Sequence, residues 1–184
     1  YLLNIWTDVT NYQGFTGALG SSDPNYIAAR NWVKARHGGS FSPNQADKDE
    51  FPNFIVGKYY QVCRDAIRAK DTNHLFMGSR LHQDLDNPNQ FSAAREYLDV
   101  ISVNYYRRWS ADSNTLHTWE GYGSYDKPFI ITEFYAMAES SGYTNRSGAG
   151  WVVYSQQDRA DFFESFTTRL LKFKNCVGFH WFRY

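Results

Sequence analysis

The chain is poor in cysteine, has no excess of either charge and lacks a long apolar run. Two of its 184 residues are cysteines, Cys63 and Cys176, and without a nearby histidine pair they do not suggest a zinc site. We expect two buried free thiols, with a disulfide as the alternative. Lys+Arg and Asp+Glu number 19 each, so the net charge of zero favours neither a nucleic acid nor an anionic membrane as partner. No apolar stretch approaches the roughly 18 residues of a membrane span.

Phosphate-binding motifs are missing as well. No Gly-x-Gly-x-x-Gly or P-loop follows a predicted strand, which argues against a nucleotide-binding fold, and the sequence suggests no cofactor. Residues 1–6 predict a strand and not a signal peptide, because they lack a basic stretch and a cleavage site. The final residues follow directly on another predicted strand. We therefore expect this sequence to be part of a longer protein.

Aromatic residues, in contrast, are abundant. They make up 18% of the chain, with 6 Trp, 14 Tyr and 14 Phe, which is high for an ordinary core. A surplus of Tyr and Trp is typical of a groove that stacks on flat ligands, or of an interface.

Alternating strand and helix patterns predict an α/β fold with a parallel sheet. Five strands alternating with helices fit either an open doubly wound sheet or the later part of a (β/α)₈ barrel, which needs about 250 residues in full. Strands are predicted at 1–6, 74–80, 100–106, 128–132 and 176–182. Helices are predicted at about 24–35, 54–70, 91–97 and 155–174, with a helical turn at 115–122. Loops are predicted at 40–51 and 140–150.

One strand ends in a carboxylate. The apolar run Pro128-Phe129-Ile130-Ile131-Thr132 leads directly to Glu133, followed by Phe134 and Tyr135. Barrel enzymes keep their catalytic groups at the carboxyl ends of such strands. The aromatic neighbours suggest a flat, hydroxyl-bearing substrate such as a sugar. The structural alternative is a loop or helix-capping glutamate.

Polar and aromatic side chains also follow the other predicted strands. Because the carboxyl ends of parallel strands share one edge of a sheet, these residues are expected to surround Glu133. Arginine and tyrosine there can keep a carboxylate ionised, as a nucleophile requires. His180 and Trp181 occupy adjacent, opposite-facing strand positions, so one of them is expected to serve packing. The substrate-binding candidates are Arg80, His82, Asn104, Tyr106, Trp109, Tyr135, His180 and Trp181.

Four segments resemble glycoside hydrolase family 86, which contains β-agarases and β-porphyranases. They are Asp23-Pro24-Asn25-Tyr26-Ile27-Ala28-Ala29, Thr132-Glu133-Phe134-Tyr135-Ala136, Ser147-Gly148-Ala149-Gly150-Trp151 and Cys176-Val177-Gly178-Phe179-His180-Trp181-Phe182. The resemblance implies that residues 1–184 are the C-terminal portion of a single (β/α)₈ catalytic domain, covering strands four to eight. The missing barrel strands would be a partner supplied by the same protein.

The resemblance also implies a retaining hydrolysis by two carboxyl groups. Glu133 matches the nucleophile. Thr10 stands where the family has its acid/base glutamate, and a hydroxyl cannot protonate a leaving oxygen as a carboxylic acid does. Asp8, two positions earlier and shorter, is a weak replacement.

Two functions follow from this pattern. The first is an extracellular or periplasmic endo-hydrolase acting on a polysaccharide or oligosaccharide of red-algal galactan, either agarose or porphyran, without a metal. The second is a carbohydrate-binding pseudoenzyme or inactive fragment, because of Thr10. An unrelated parallel α/β protein is a third alternative.

Overall fold

The computed structural model describes residues 22–82, 93–106, 109–116, 127–142 and 148–182. The predicted first strand, Asp8 and Thr10 lie outside the described residues. The chain divides into two compact units, with the boundary between Tyr59 and Tyr60.

The first unit contains helix α1, Pro24–Arg36, and the beginning of helix α2, Gln45–Arg68. Pro24 stands at the first position of α1, where a missing N–H costs nothing, and Gly38 and Gly39 follow its end with positive φ. The prediction of α1 is confirmed. Its buried face forms a core with α2 through Tyr26, Ala29, Val33 and Phe51.

The predicted loop over 40–51 is wrong in its second half, because α2 begins at Gln45. The reason is a reciprocal cap. The Asp47 N–H donates to the Asn44 side chain at 3.1 Å, and the Asn44 N–H donates to the Asp47 carboxylate at 2.9 Å. The polar residues that suggest a loop are therefore the start of a helix.

The second unit contains a four-stranded parallel sheet. Its strands are β1 (Leu81–His82), β2 (Ile101–Asn104), β3 (Phe129–Phe134) and β6 (Cys176–Trp181), and they neighbour one another in that order. The parallel sheet is thus confirmed. Spatial order follows chain order without the reversal that defines a doubly wound sheet.

Two short strands were not predicted. Strand β4, Ala136–Ala138, pairs in parallel with β5, Trp151–Val153, in a separate two-stranded sheet. A 3₁₀ turn, Glu139–Ser141, follows β4. Further helical turns occupy residues 93–95 and 113–116. The rest of the turn expected over 115–122 and the first residues of the helix expected over 91–97 lie outside the described residues.

The predicted strand over 74–80 is wrong, since pairing in this region is limited to Leu81 and His82. Gly78 explains the difference. It has φ +62°, and a Cβ at this position would lie 2.5 Å from the side chains of both Leu98 and Tyr60. The backbone is therefore bent at a tightly packed point and cannot continue an extended strand.

Helix α3, Gln156–Leu170, covers one face of the sheet. Ser155 and Asp158 form a capping box at its beginning. Phe134 of β3 stacks on Phe166 of α3 at 4.6 Å between ring centroids. The predicted apolar stripe is buried at Phe162, Phe166, Leu170 and Phe173, whereas Phe163 is 40% exposed.

Both cysteines are free, as predicted, but half-buried rather than buried. Within the described ranges, no helix combines the length and apolar character that crossing a membrane requires.

Candidate active site

A β-bulge near the end of β3 decides where Glu133 points. Val103 pairs with Ile131, but the next residue, Asn104, pairs with Glu133, so Thr132 is an extra residue in β3. The pairing of β3 with β6 shows the same extra residue between Ile131 and Phe134. A single inserted residue shifts every later side chain to the opposite face. Phe134 is thereby buried against α3, and Glu133 lies on the other face.

The Glu133 carboxylate is held at both oxygens. The Arg80 guanidinium, from the segment just before β1, donates to Oε1, and the Tyr106 hydroxyl, from the end of β2, donates to Oε2 at 2.5 Å. The Glu133 side chain is 12% exposed, so it can still be reached. The carboxylate therefore accepts two hydrogen bonds, one of them from a fixed positive charge.

The Tyr106 hydroxyl donates its proton to the hydrogen bond with Glu133 and stays protonated. Burial first, and then the hydrogen bond to Glu133, raise the pKa of Tyr106 well above its usual value. The hydroxyl therefore keeps its proton over the working range of an enzyme. The preceding residue, Tyr105, lies on the other face and contacts Phe166 of α3 at 5.4 Å between centroids.

A side-chain hydrogen bond joins the ends of β2 and β3. The Thr132 hydroxyl donates to the Asn104 side-chain oxygen at 2.9 Å. The backbone continues the connection, since the Tyr105 N–H donates to the Glu133 carbonyl at 2.8 Å. These two bonds tie the bulge to β2 and fix the backbone that carries Glu133.

The remaining aromatic candidates lie in different surroundings. Tyr135 meets Tyr106 edge to face at 5.5 Å between centroids. Trp109 is 42% exposed and makes edge contacts with Trp151 and Phe162. Trp181 is surrounded by the packing partners Phe134, Phe162 and Phe163, with the Arg159 guanidinium over its ring at 5.4 Å.

The two histidine candidates are less informative. His180 is exposed, next to the packed Trp181 in β6. His82 ends β1 opposite Asn104, and its side chain lies outside the described part of the chain. Asp8, the weak acid/base candidate, lies outside it too. The structure thus brings Arg80, Tyr106 and Glu133 into direct contact.

Sequence reasoning missed the roles of three residues of this region. Thr132 was assigned to the predicted strand and to a segment that resembles family 86, but not identified as the bulge residue and the donor to Asn104. Gly148 and Gly150 were assigned to the predicted loop and to another such segment, but their close approach to Tyr135 was not predicted. The Gly-x-Gly spacing was a usable signal, because close approach of backbone to a ring requires glycine. In the ranges that the structure covers, no three His, Cys, Asp or Glu side chains cluster as metal ligands would.

Beta-agarase A of Vibrio sp. (strain JT0107) is 39% identical over 134 residues, which make up 69% of this chain and 13% of that protein. Beta-agarase B of the same strain is 30% identical over 149 residues, or 80% of this chain and 15% of that protein. The chain is similar to agarases. It spans only these small shares of the two curated relatives.

The solved structures agree with this similarity. The crystal structure of BpGH50 matches with a TM-score of 0.76 and 37% identity, covering 90% of this chain and 37% of that one. An exo-beta-agarase matches with a TM-score of 0.76 over 89% of this chain and 25% of that one, but at 22% identity it shows the fold alone. No protein-family model matches the chain. The comparisons support an agarase-like glycoside hydrolase, while family 86 is not confirmed.

Proposed function

We propose that this chain carries part of the active site of a retaining β-agarase, with Glu133 as the nucleophile. The observation that supports this most is the Glu133 carboxylate, partly accessible at the end of β3 and held between Arg80 and Tyr106. Its neighbours are suited to a carboxylate that must stay ionised while it attacks an electrophilic carbon. The similarity to β-agarases supplies the substrate class.

The same proposal includes a (β/α)₈ barrel. The parallel strands β1, β2, β3 and β6 neighbour one another in chain order, as the strands of a barrel wall do. They would be strands five to eight, and the segment 1–6 strand four, all within one catalytic domain. The site then lies at the carboxyl ends of the strands, where barrel enzymes carry out their chemistry.

The proposed mechanism begins with Glu133. One carboxylate oxygen attacks the anomeric carbon of the scissile galactosyl unit through an oxocarbenium-like transition state, forming a glycosyl-enzyme ester as the leaving oxygen departs. Arg80 and Tyr106 stabilise the carboxylate before attack and again when hydrolysis of the ester releases it. A second carboxyl group, roughly 5 Å away in retaining enzymes, protonates the leaving oxygen and later activates water. Asp8 remains the candidate for that role.

Five of the remaining candidates would bind sugar. Asn104 and His180 offer hydrogen bonds to hydroxyl groups, as His82 would. Trp109 is exposed enough to stack on a pyranose ring. Trp181 is proposed for the same role, although its packing contacts leave less of its ring available.

Location and substrate range belong to the proposal too. Agarose is a polymer too large to enter a cell intact, so we propose an extracellular or periplasmic site of action. Porphyran is an alternative substrate that shares the galactan backbone. The pseudoenzyme hypothesis rests on Thr10, since acid/base assistance is worth about 10²- to 10⁴-fold.

The test is the release of reducing ends from agarose and porphyran by the protein and by its Glu133→Gln variant. Glu164→Gln, at an exposed position of α3, is the matched control. Release from agarose that E133Q abolishes and E164Q keeps would support the hydrolase. Proton NMR of the first product then decides the mechanism, because a β-anomer formed initially indicates retention. Binding of agarose without any release would favour the pseudoenzyme.

A further inference from the structure

Two glycines lie directly against the ring of Tyr135. A Cβ at Gly148 would approach the Tyr135 hydroxyl to less than 3.0 Å, and Gly148 has φ +137°. A Cβ at Gly150 would lie 2.5 Å from Cδ2 of the Tyr135 ring and 2.6 Å from its carbonyl oxygen. No real Cβ tolerates such distances, so a side chain at either position would displace the tyrosine. We call residues 148–150 the glycine cradle.

The small sheet of β4 and β5 explains this proximity. Ala136 pairs with Trp151 in parallel, so the residues before them, Tyr135 and Gly150, are also neighbours. On its other sides the Tyr135 ring meets Phe182 at 5.9 Å and Tyr106 at 5.5 Å between centroids. The ring is therefore confined between backbone and two aromatic side chains.

We propose that the glycine cradle positions the catalytic carboxylate indirectly, by pressing Tyr135 edge-on against Tyr106 and so fixing the Tyr106 hydroxyl on Glu133. Gly148, Gly150 and Tyr135 are positioning residues, since each acts through Tyr106. The proposal rests on the proposed role of Glu133. It assigns a function to the two-stranded sheet, which holds the cradle in register with the end of β3.

The hydrogen bond from Tyr106 to Glu133 should be sensitive to small movements of Tyr135. A hydrogen bond weakens steeply when its angle or length departs from the optimum. The Tyr106 hydroxyl lies 2.5 Å from the Glu133 carboxylate, so a small displacement of the tyrosine would lengthen or bend this bond. A displacement of about 1 Å at a reacting centre can lower the rate up to 10²-fold. Because the cradle is proposed to act on the reacting carboxylate through Tyr135 and Tyr106, its loss should change kcat more than KM.

The first experiment is a double-mutant cycle between Gly148→Ala and Tyr135→Phe. Loss of the Tyr135 hydroxyl removes the nearest obstacle, and the next ring atom lies 3.4 Å from the new Cβ, an ordinary contact. We expect G148A to lower kcat on agarose roughly 10-fold or more with KM within about twofold, and the added Y135F to restore most of it. The strain of alanine at positive φ is common to both backgrounds and cancels.

Two further variants serve as controls. Gly150→Ala meets the ring carbons and the carbonyl, so Y135F should not rescue it. Gly142→Ala also introduces alanine at positive φ, +78°, but no atom lies within 4 Å of its Cβ, so kcat should stay near wild type. If G148A lowers kcat no more than G142A does, or Y135F fails to rescue it in a folded protein, the proposal is overturned.

A second readout does not depend on activity. With ¹³Cζ-labelled tyrosine, the Tyr106 signal can be assigned by its loss in Y106F, and its chemical shift can be compared between variants at one neutral pH. The chemical shift of Cζ responds to the hydrogen bond that the hydroxyl makes, so G148A should change the Tyr106 shift relative to wild type, and the added Y135F should reverse the change. If wild-type protein does not hydrolyse agarose, the proposed function fails, and this chemical shift still decides whether the cradle positions Tyr106. An unchanged Tyr106 shift in G148A would overturn the positioning role.

Discussion

Asp47 in the first unit and Glu133 in the second are both carboxylates that contact an arginine, and they differ in what is left accessible. Asp47 accepts from Arg36 at 2.8 Å, from the Asn44 N–H at 2.9 Å, and is 2.7 Å from a His37 ring nitrogen, with its side chain 1% exposed. Glu133 is 12% exposed and contacts Arg80 and Tyr106. A closed ring of donors holds a helix end together, whereas an open carboxylate can react.

The difference has a simple physical basis. Each donor lowers the free energy of the ionised carboxylate but also occupies a lone pair that a substrate would need. Although burial acts in the opposite direction, the bonds from Arg36, His37 and Asn44 lower the pKa of Asp47 to about 2. Asp47 is therefore stable, ionised and inert, and the pairing of a carboxylate with an arginine does not by itself identify a catalytic group.

The largest expected difference is between substitutions of the two carboxylates: a change at Glu133 should affect activity, and a change at Asp47 should affect stability. We expect Glu133→Gln to lower the rate on agarose by a factor on the order of 10⁴. Its free energy of unfolding should change less than that of Asp47→Asn, because Glu133 is more exposed and contacts fewer donors. Asp47→Asn should do the reverse, keeping kcat while losing about 2 kcal/mol of stability, since it breaks a buried charged network. Reducing-end assays and urea unfolding measure the two quantities. If E133Q still released reducing ends from agarose at the wild-type rate, Glu133 would not be the nucleophile and its contrast with Asp47 would fail.

The adjacent tyrosines at the end of β2 give the next largest effect. Tyr106→Phe removes a donor to a charged group, worth about 1.5 to 3 kcal/mol, and should lower kcat roughly 10- to 100-fold. Tyr105→Phe is the matched control. Its hydroxyl accepts from the Asp112 N–H at 2.8 Å on the opposite face, so it should lower stability by about 1 kcal/mol and leave kcat unchanged. Equal losses of kcat in both variants would argue against a special role for Tyr106.

Lowering the pH should remove the contribution of the Asp47 carboxylate to the free energy of unfolding. The pKa of Asp47 is lowered from 3.8 to about 2 in the folded chain, so its contribution to stability is complete above the unfolded value. That contribution is lost as pH falls from 3.8 towards 2, because the unfolded chain takes up the proton first. Urea unfolding measured at several pH values between about 5 and 2.5 should show this fall in wild type and a smaller one in D47N. Identical slopes in the two proteins would contradict the assignment.

The smallest effect concerns the bulge. Thr132→Val leaves the Asn104 side-chain oxygen without its donor and should lower kcat about fivefold, the equivalent of roughly 1 kcal/mol. Thr167→Val in α3 is the control, because the Thr167 hydroxyl also makes a partly buried hydrogen bond, but to the Phe163 carbonyl at 2.8 Å, away from Glu133. Steady-state kinetics on agarose compare the two, and a similar loss in T167V would show a general effect of packing.

Local patterns were sufficient where local energetics decide the structure. Pro24 and the following glycines bound α1, and apolar runs ending in polar tips locate β2, β3 and β6. They failed where a distant contact decides. Gly78, packed against Tyr60 and Leu98, ends the expected strand over 74–80, and the pairing of Ala136 with Trp151 depends on residues far apart in the chain.

The sequence by itself determined that Glu133 follows a buried strand and that arginine, asparagine and tyrosine follow its neighbours. It did not determine on which face Glu133 lies. Simple alternation from Phe129 and Ile131, both buried, would place Glu133 on the same buried face. The bulge at Thr132 reverses this, because pairing with β2 and β6 and the stacking of Phe134 on Phe166 stabilise one register of the sheet. Register is a property of several strands together, so only the tertiary structure could decide it.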